Sequence, residues 1–340
     1  MSISEFIDKS GAQMRVFDLG RRVQKISKQD FRDYDLLNKP YPTPYLGHAW
    51  LGILTWNPKV PGQHNVWFLK LPLDEQSFIE PGHRDAFLNH WLKCIQYPDK
   101  EHGEAPCYYK PDQNRMGYFH ALALNALQQP HSNYYATTRA YLSGDTGWEN
   151  WQQVGLQGLA EVVANLDDDG NERLLIDALA NMPIEPLRAV LNYLENVHPT
   201  ATLTIAINDR LAKVIAGDAE SADLAAFSRA LSQSQNEVQR RQLLAAILQH
   251  PKTQNIEVLA AIASRCWQDL HGDLLMAFLE LLAGNDQGQN AFNAIIGDLM
   301  PLKGMREGIL GVFRDPSRSE VLTAAIEGLM KGVQQATTKH

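Results

Sequence analysis

The stretch Leu187-Arg-Ala-Val190-Leu191-Asn-Tyr-Leu194, followed after a short break by Leu203-Thr-Ile-Ala206-Ile207-Asn-Asp-Arg-Leu211-Ala-Lys-Val214-Ile215, carries apolar side chains at intervals of three or four positions. At about 3.6 residues per turn, that spacing gathers the apolar groups on one side of an α-helix and leaves the polar ones on the other. The pattern returns at Leu243, Leu244, Ile247 and Leu248, at Leu274, Leu275, Phe278, Leu281 and Leu282, and at Phe292, Ile295, Ile296 and Leu299. From Trp151 to about Val333 the chain reads as roughly ten consecutive amphipathic helices joined by short turns.

Helix starts are marked by side-chain oxygens placed to accept from the unpartnered amides of a first turn. Asp315 before Pro316 is the plainest such signal, since proline has no amide hydrogen to leave unpaired at the first helical position. Thr200, Ser221, Asn236 and Asn285 are further candidates. One set of starts near Pro186, Ala222, Asn255 and Gln287, and an alternate set near Thr200, Asn236, Asp269 and Lys303, give a helix-pair spacing of roughly 33 to 36 residues. A lone pair of helices cannot bury its apolar face, so this regularity predicts stacked hairpins that share one core. The expected fold is mainly α: an α-solenoid-like, HEAT- or armadillo-like hairpin array over residues 151–335, with a smaller N-terminal α+β domain over 1–145. An ordinary all-α domain is the alternative, because helix length and polarity repeat while residue identity does not.

A chain of 340 residues exceeds one typical domain, which agrees with two units. No uninterrupted apolar run reaches the roughly 18 to 20 residues that span a bilayer, and Met1 to Ser10 lacks the apolar core of a secretory signal. A cytoplasmic protein without membrane insertion is expected. The three cysteines, Cys94, Cys107 and Cys266, are odd in number and lack paired spacing, so buried free thiols are expected rather than a disulfide framework or zinc ribbon. The formal net charge of -8 is uneven: of 31 Lys+Arg and 39 Asp+Glu, residues 1 to 140 hold 16 and 14, leaving 15 and 25 for the rest. An acidic array weighs against nucleic acid as a partner, since phosphate contacts need clustered cations.

In the N-terminal part, Ile3, Phe6 and Ile7 predict a short helix that Gly11 would end. Met14 to Ile26 reads as a β-hairpin turning at Leu19-Gly20, with a broken helix as the alternative. Its basic residues, Arg15, Arg21, Arg22, Lys25, Lys28 and Arg32, are diluted by Asp18 and Asp30 and are expected on a solvated side. Lys39-Pro-Tyr-Pro-Thr-Pro-Tyr45 must run extended, as a connector that packs its tyrosines or as a proline-recognition ligand. Ala49 to Trp56 and Asn65 to Leu71 are rich in β-branched and aromatic residues and predict two antiparallel strands. A helix from Pro81 through Ile95, a surface loop from Pro98 to Pro111, and helices over Met116 to Leu127 and Tyr134 to Leu142 follow.

Arg15 to Ile26, together with Phe68-Leu-Lys-Leu-Pro-Leu-Asp-Glu-Gln76, resembles a bacterial protein family designated domain of unknown function 3549. The resemblance implies coverage of nearly the whole chain. That family carries no assigned activity, so no site residue transfers with it.

Three patterns carry residue types suited to chemistry. Seven of the 11 histidines fall at or before His131, and His83, His90 and Cys94 share a helical face, yet the short spacings of a zinc site are missing. Asn165-Leu-Asp167-Asp168-Asp169-Gly170 begins like a calcium loop, but Ile176 stands where the closing glutamate is needed, so a turn with Asp169 or Asn171 capping the next helix is expected. Asp33-Tyr-Asp35 resembles the paired carboxylates of some metal-dependent sugar transferases, a three-residue pattern that occurs by chance. No nucleotide fingerprint, P-loop or nucleophile elbow is present. These observations leave no catalytic, cofactor or metal residue to name, and favour a non-catalytic scaffold that binds an unknown protein partner through its array. The alternative is an enzyme or small-molecule binder with a pocket in the N-terminal part near His83, Arg84, His90 and Trp91.

Overall fold

The structure, a computed structural model, describes residues 2–337 apart from Pro61, Pro98 and Asp169, with side chains omitted at Val333 and over 335–337. It is mainly helical, at 59% helix, with a small antiparallel sheet near the N-terminus. The chain divides into two compact units between Gln129 and Pro130.

The first unit begins with helix α1 (Ile3–Ser10), which Ser2 opens by a reciprocal cap with Glu5 and Gly11 closes at φ 72°. Next come β1 (Gln13–Asp18), β2 (Gln24–Ile26), α2 (Lys28–Asp35), β3 (His48–Trp56), β4 (His64–Pro72), α3 (Pro81–Gln96) and α4 (Gln113–Leu127). The strands form one antiparallel sheet in the order β2-β1-β3-β4. Because strand side chains alternate, one face carries Met14, Val16, Leu51, Ile53, Leu69 and Leu71, and these bury against Ile3 and Ile7 of α1, Phe31 of α2 and Phe87 and Leu88 of α3. The opposite face sets Phe17 and Phe68 edge-on to Phe119 of α4. Gly52 between them is required for that approach, since a Cβ there would lie 2.8 Å from the Phe119 ring. Within the expected surface loop, residues 107–109 pair with the free edge of β4 through Lys70 N–H to Cys107 O (2.7 Å) and Tyr109 N–H to Phe68 O (3.2 Å).

The second unit contains α5 (Asn133–Leu142), α6 (Leu156–Ala164), α7 (Asn171–Leu179), α8 (Ile184–Leu194), α9 (Ala201–Ala216) and α10 (Ser221–Leu231). It continues with α11 (Glu237–Leu248), α12 (Ile256–Arg265), α13 (Asp273–Ala283), α14 (Gln289–Leu299), α15 (Met305–Arg314) and α16 (Glu320–Thr337). No strand occurs among its described residues. Most helices pack on the next but one: α6 on α8, α8 on α10, α10 on α12, α12 on α14 and α14 on α16, with α5 on α7, α7 on α9, α11 on α13 and α13 on α15 alongside. The observed starts of α8, α10, α12 and α14 at 184, 221, 256 and 289 fall within two residues of the expected positions. Those of α9, α11, α13 and α15 fall at 201, 237, 273 and 305.

The caps divide. Thr200 and Asn236 accept from Leu203 N–H and Gln239 N–H as expected. Glu220 rather than Ser221 caps α10. Asn285 holds a turn through Leu282 O and Gly288 O instead of starting a helix. Asp315 closes α15 and accepts from both N–H and hydroxyl of Ser317, so the helix after Pro316 begins only at Glu320, with Ser319 as its cap. Proline at a first helical position and proline in a turn share the same φ, and the local competition for the Asp315 carboxylate decides between them.

Candidate functional site

The four pocket candidates on α3 diverge in their surroundings. Arg84 is half-buried, and its guanidinium donates to the Asp35 carbonyl and to the neighbouring Asp85 carboxylate (2.9 Å). That arrangement ties the C-terminus of α2 to α3, a favourable place for a cation at the negative end of a helix. Trp91 packs against Phe6, Trp67 and Phe87 at ring-centroid distances of 4.9, 5.3 and 5.6 Å, which places it in an aromatic cluster under the sheet. His83 is exposed and pairs with Glu80 (3.0 Å). His90 lies 3.5 Å from the Cys94 sulfur, with the His102 ring 6.3 Å away. Among the described residues no group of three or more potential metal ligands forms, and none of the three cysteines is in a disulfide, with Cys266 buried and Cys94 and Cys107 only half-buried.

The other sequence candidates are structural. Asp33 pairs with Lys39 (2.7 Å). Asp35 turns inward, fully buried, and accepts from the N–H (2.7 Å) and hydroxyl (2.6 Å) of Ser4 in the first turn of α1. Asn171 is buried at the start of α7 and donates to the Tyr135 hydroxyl and to Asn165 O (2.6 Å), which fixes the Asn165–Gly170 turn; Asp169 lies outside the described residues.

Arg21 and Arg22 overturn the expectation of a solvated hairpin side. They are 1% and 5% exposed, in the loop between β1 and β2. Arg21 Nε donates to Pro44 O (2.9 Å) with its guanidinium over the Tyr45 ring at 5.5 Å. Arg115 reaches Gly20 O (2.7 Å) and also lies over Tyr45. Asp18, also buried, accepts from Gly20 N–H and the Thr43 hydroxyl (both 2.7 Å), and burial pushes its carboxyl above the ordinary range despite those bonds. Arginine's broad, weakly hydrated plane tolerates such a site where lysine would not, so a basic run in sequence became a packed corner.

A polar groove of about 510 Å³ is formed by the N-terminal half of α8, the second half of α9 and the start of α10, and of its lining only Val214 belongs to the apolar pattern legible in the sequence. Arg188 crosses it, with Nε 2.5 Å from Asp223 and Nη2 2.5 Å from Glu220, and the Asp223 bond raises the guanidinium's pKa further. The second oxygen of Asp223 accepts from Glu220 N–H (2.8 Å), and Asp218 pairs with Lys252 (3.0 Å). Arg210 donates to Met182 O (3.0 Å) and Ala180 O (3.4 Å) at the turn into α8, and its Nε is buried without an acceptor. Lys213, one turn further along α9, is exposed, and Ile184 and Val214 supply apolar lining. The residues come from three helices, and only the Arg210–Lys213 spacing on α9 is local enough to read in sequence.

No curated protein and no solved structure matches this chain. The family model of proteins of unknown function designated DUF3549 matches residues 1–330, across both the sheet-bearing unit and the helices that form the groove. The chain therefore belongs to the DUF3549 family.

Proposed function

We propose that this chain is a non-catalytic interaction protein whose helical unit is a solenoid-like stack of hairpins that receives another protein on its surface. The observation that carries the reading is the reach of the polar contacts between helices in that unit. Ser132 to Glu161, Arg139 to Asn171, Arg188 to Asp223, Thr204 to Ser234, Arg240 to Asp269, Asn255 to Asp286 and Gln289 to Ala325 span 29 to 36 residues each. Contacts at a similar reach, added to packing of most helices on the next but one, are the pattern of neighbouring repeats completing each other's core. Such stacks use extended surfaces for binding, and the groove of about 510 Å³ on α8, α9 and α10 is a concavity of that kind. The dispersal of His83, Arg84, His90 and Trp91 into separate packing roles supports this over a pocket on α3.

The test is affinity capture with the full chain from cells that express it, comparing wild type with charge reversals at exposed positions along α8 to α11. A reproducible partner, lost in those variants while thermal unfolding stays unchanged, is the expected outcome. If alanine at His83 or His90 abolished a cellular phenotype with the fold intact, while the array reversals did nothing, the α3 pocket would replace this reading.

A further inference from the structure

We propose that the groove on α8, α9 and α10 seats an acidic, extended peptide segment of the partner, a specification that rests on the interaction reading above. The argument is a charge balance inside the groove. Three of its four carboxylates are already engaged by the chain's own cations: Asp223 and Glu220 by Arg188, and Asp218 by Lys252. Two of its cations are not. Arg210 donates only to backbone carbonyls, and among the described residues no carboxylate reaches it or Lys213. They lie three apart on α9, so they share one face and one wall of the groove.

The charge on that one wall therefore favours an anion. A guanidinium and an ammonium with no internal counter-ion, beside a cavity open to solvent, favour an incoming carboxylate through charge-assisted hydrogen bonds. Arg210 keeps an unsatisfied buried Nε besides. The start of α8 borders the same groove, and no side chain caps its first amides, which add partial positive charge there. Ile184 and Val214 place an apolar surface beside the cations, which suits a segment in which acidic and aliphatic side chains alternate. Glu185, at the first turn of α8, is the remaining acid and excludes a second carboxylate at that end. A volume of about 510 Å³ without a closed roof fits a length of extended chain better than an enclosed small molecule.

Fluorescence anisotropy of the full chain tests this with labelled octapeptides in which glutamate alternates with leucine, against the same peptides with lysine in place of glutamate. The acidic series should bind, weaken as salt is raised, and lose roughly tenfold or more in affinity with Lys213→Glu. Lys303→Glu, an exposed reversal elsewhere in the helical unit, should bind as wild type. Lys213 is exposed, so its reversal keeps the melting temperature, whereas Arg210→Gln is read only beside a melting curve because Arg210 also holds Met182 O. Equal binding of the two peptide series, no binding by either, or an affinity unmoved by Lys213→Glu would each overturn the proposal. Should the cellular partner still be captured by the Lys213→Glu chain, the groove assignment falls and the interaction reading stands.

Discussion

Asp35 shows how much one side chain can hold in the first unit. It is fully buried, and one oxygen accepts two bonds from Ser4 while its backbone carbonyl takes Arg84. Asp35→Ala leaves the Ser4 amide buried without an acceptor and the Ser4 hydroxyl with only the Ser2 hydroxyl (3.1 Å), and should cost about 2–3 kcal/mol in a denaturant titration. Asp18 makes a prediction about pH. Burial raises its carboxyl above the unfolded value of about 3.9, so the folded state holds that proton more tightly than the unfolded chain does. Its contribution to stability is complete below the ordinary carboxylate range and is lost as pH rises through the raised value. Asp18→Asn does not titrate. The stability difference between Asp18→Asn and wild type should therefore shift in favour of the variant between about pH 4 and about pH 7. An identical difference at both would show that the carboxylate is not desolvated as the fold implies. Neither role was legible in sequence, where Asp18 and Asp35 look like the neighbours that dilute a basic run or make a carboxylate pair. Local spacing says nothing about which of them turns inward.

At the scale of elements, helical glycines separate packing from propensity. Gly158 of α6 lies where α5 crosses it, and an added Cβ would meet Thr138 Oγ1 at 2.1 Å and the Tyr134 carbonyl at 2.6 Å. The carbonyl is backbone and cannot step aside, so Gly158→Ala should destabilise the second unit by about 1–3 kcal/mol despite alanine's better helix propensity. Gly297 of α14 and Gly311 of α15 have nothing within 4 Å of the same atom. Alanine there should stabilise by roughly 0.5–1 kcal/mol, measured as a higher thermal midpoint. The strands and most helices were readable because their signals are local: alternation in Ala49 to Trp56, three-and-four spacing in α9, and Thr200 and Asn236 as caps. Asp315 departs from the expected helix start for a local reason as well. Ser317 offered its carboxylate a nearer partner than a helical amide.

Across the second unit, the ion pair of Glu195 and Arg265 joins residues 70 apart. Arg265 Nε lies 2.7 Å from one Glu195 oxygen and Nη2 3.2 Å from the other, with both side chains no more than a tenth exposed. It links the end of α8 to the end of α12 beside α10, which packs on both. Truncating one partner strands a buried charge and should cost about 3–5 kcal/mol, whereas replacing both with leucine should cost far less. A double-mutant cycle in denaturant measures the difference. Equal costs for single and double variants would mean the pair is not desolvated.

The sequence by itself determined where the chain is helical, the near-regular spacing of the helix starts, the two long strands with the hairpin before them, and an acidic balance over residues 141 to 340. Each follows from the order of apolar and polar residues within a turn or two of the chain, or from composition. Tertiary structure alone decided that Arg21 and Arg22 are buried, that Glu195 meets Arg265, and that Arg188, Arg210 and Lys213 share one groove. The reason is physical: an apolar periodicity selects a helix face from the chain's own geometry, but the partner of a charge is chosen by whichever distant segment the packing of those faces brings within a few ångströms.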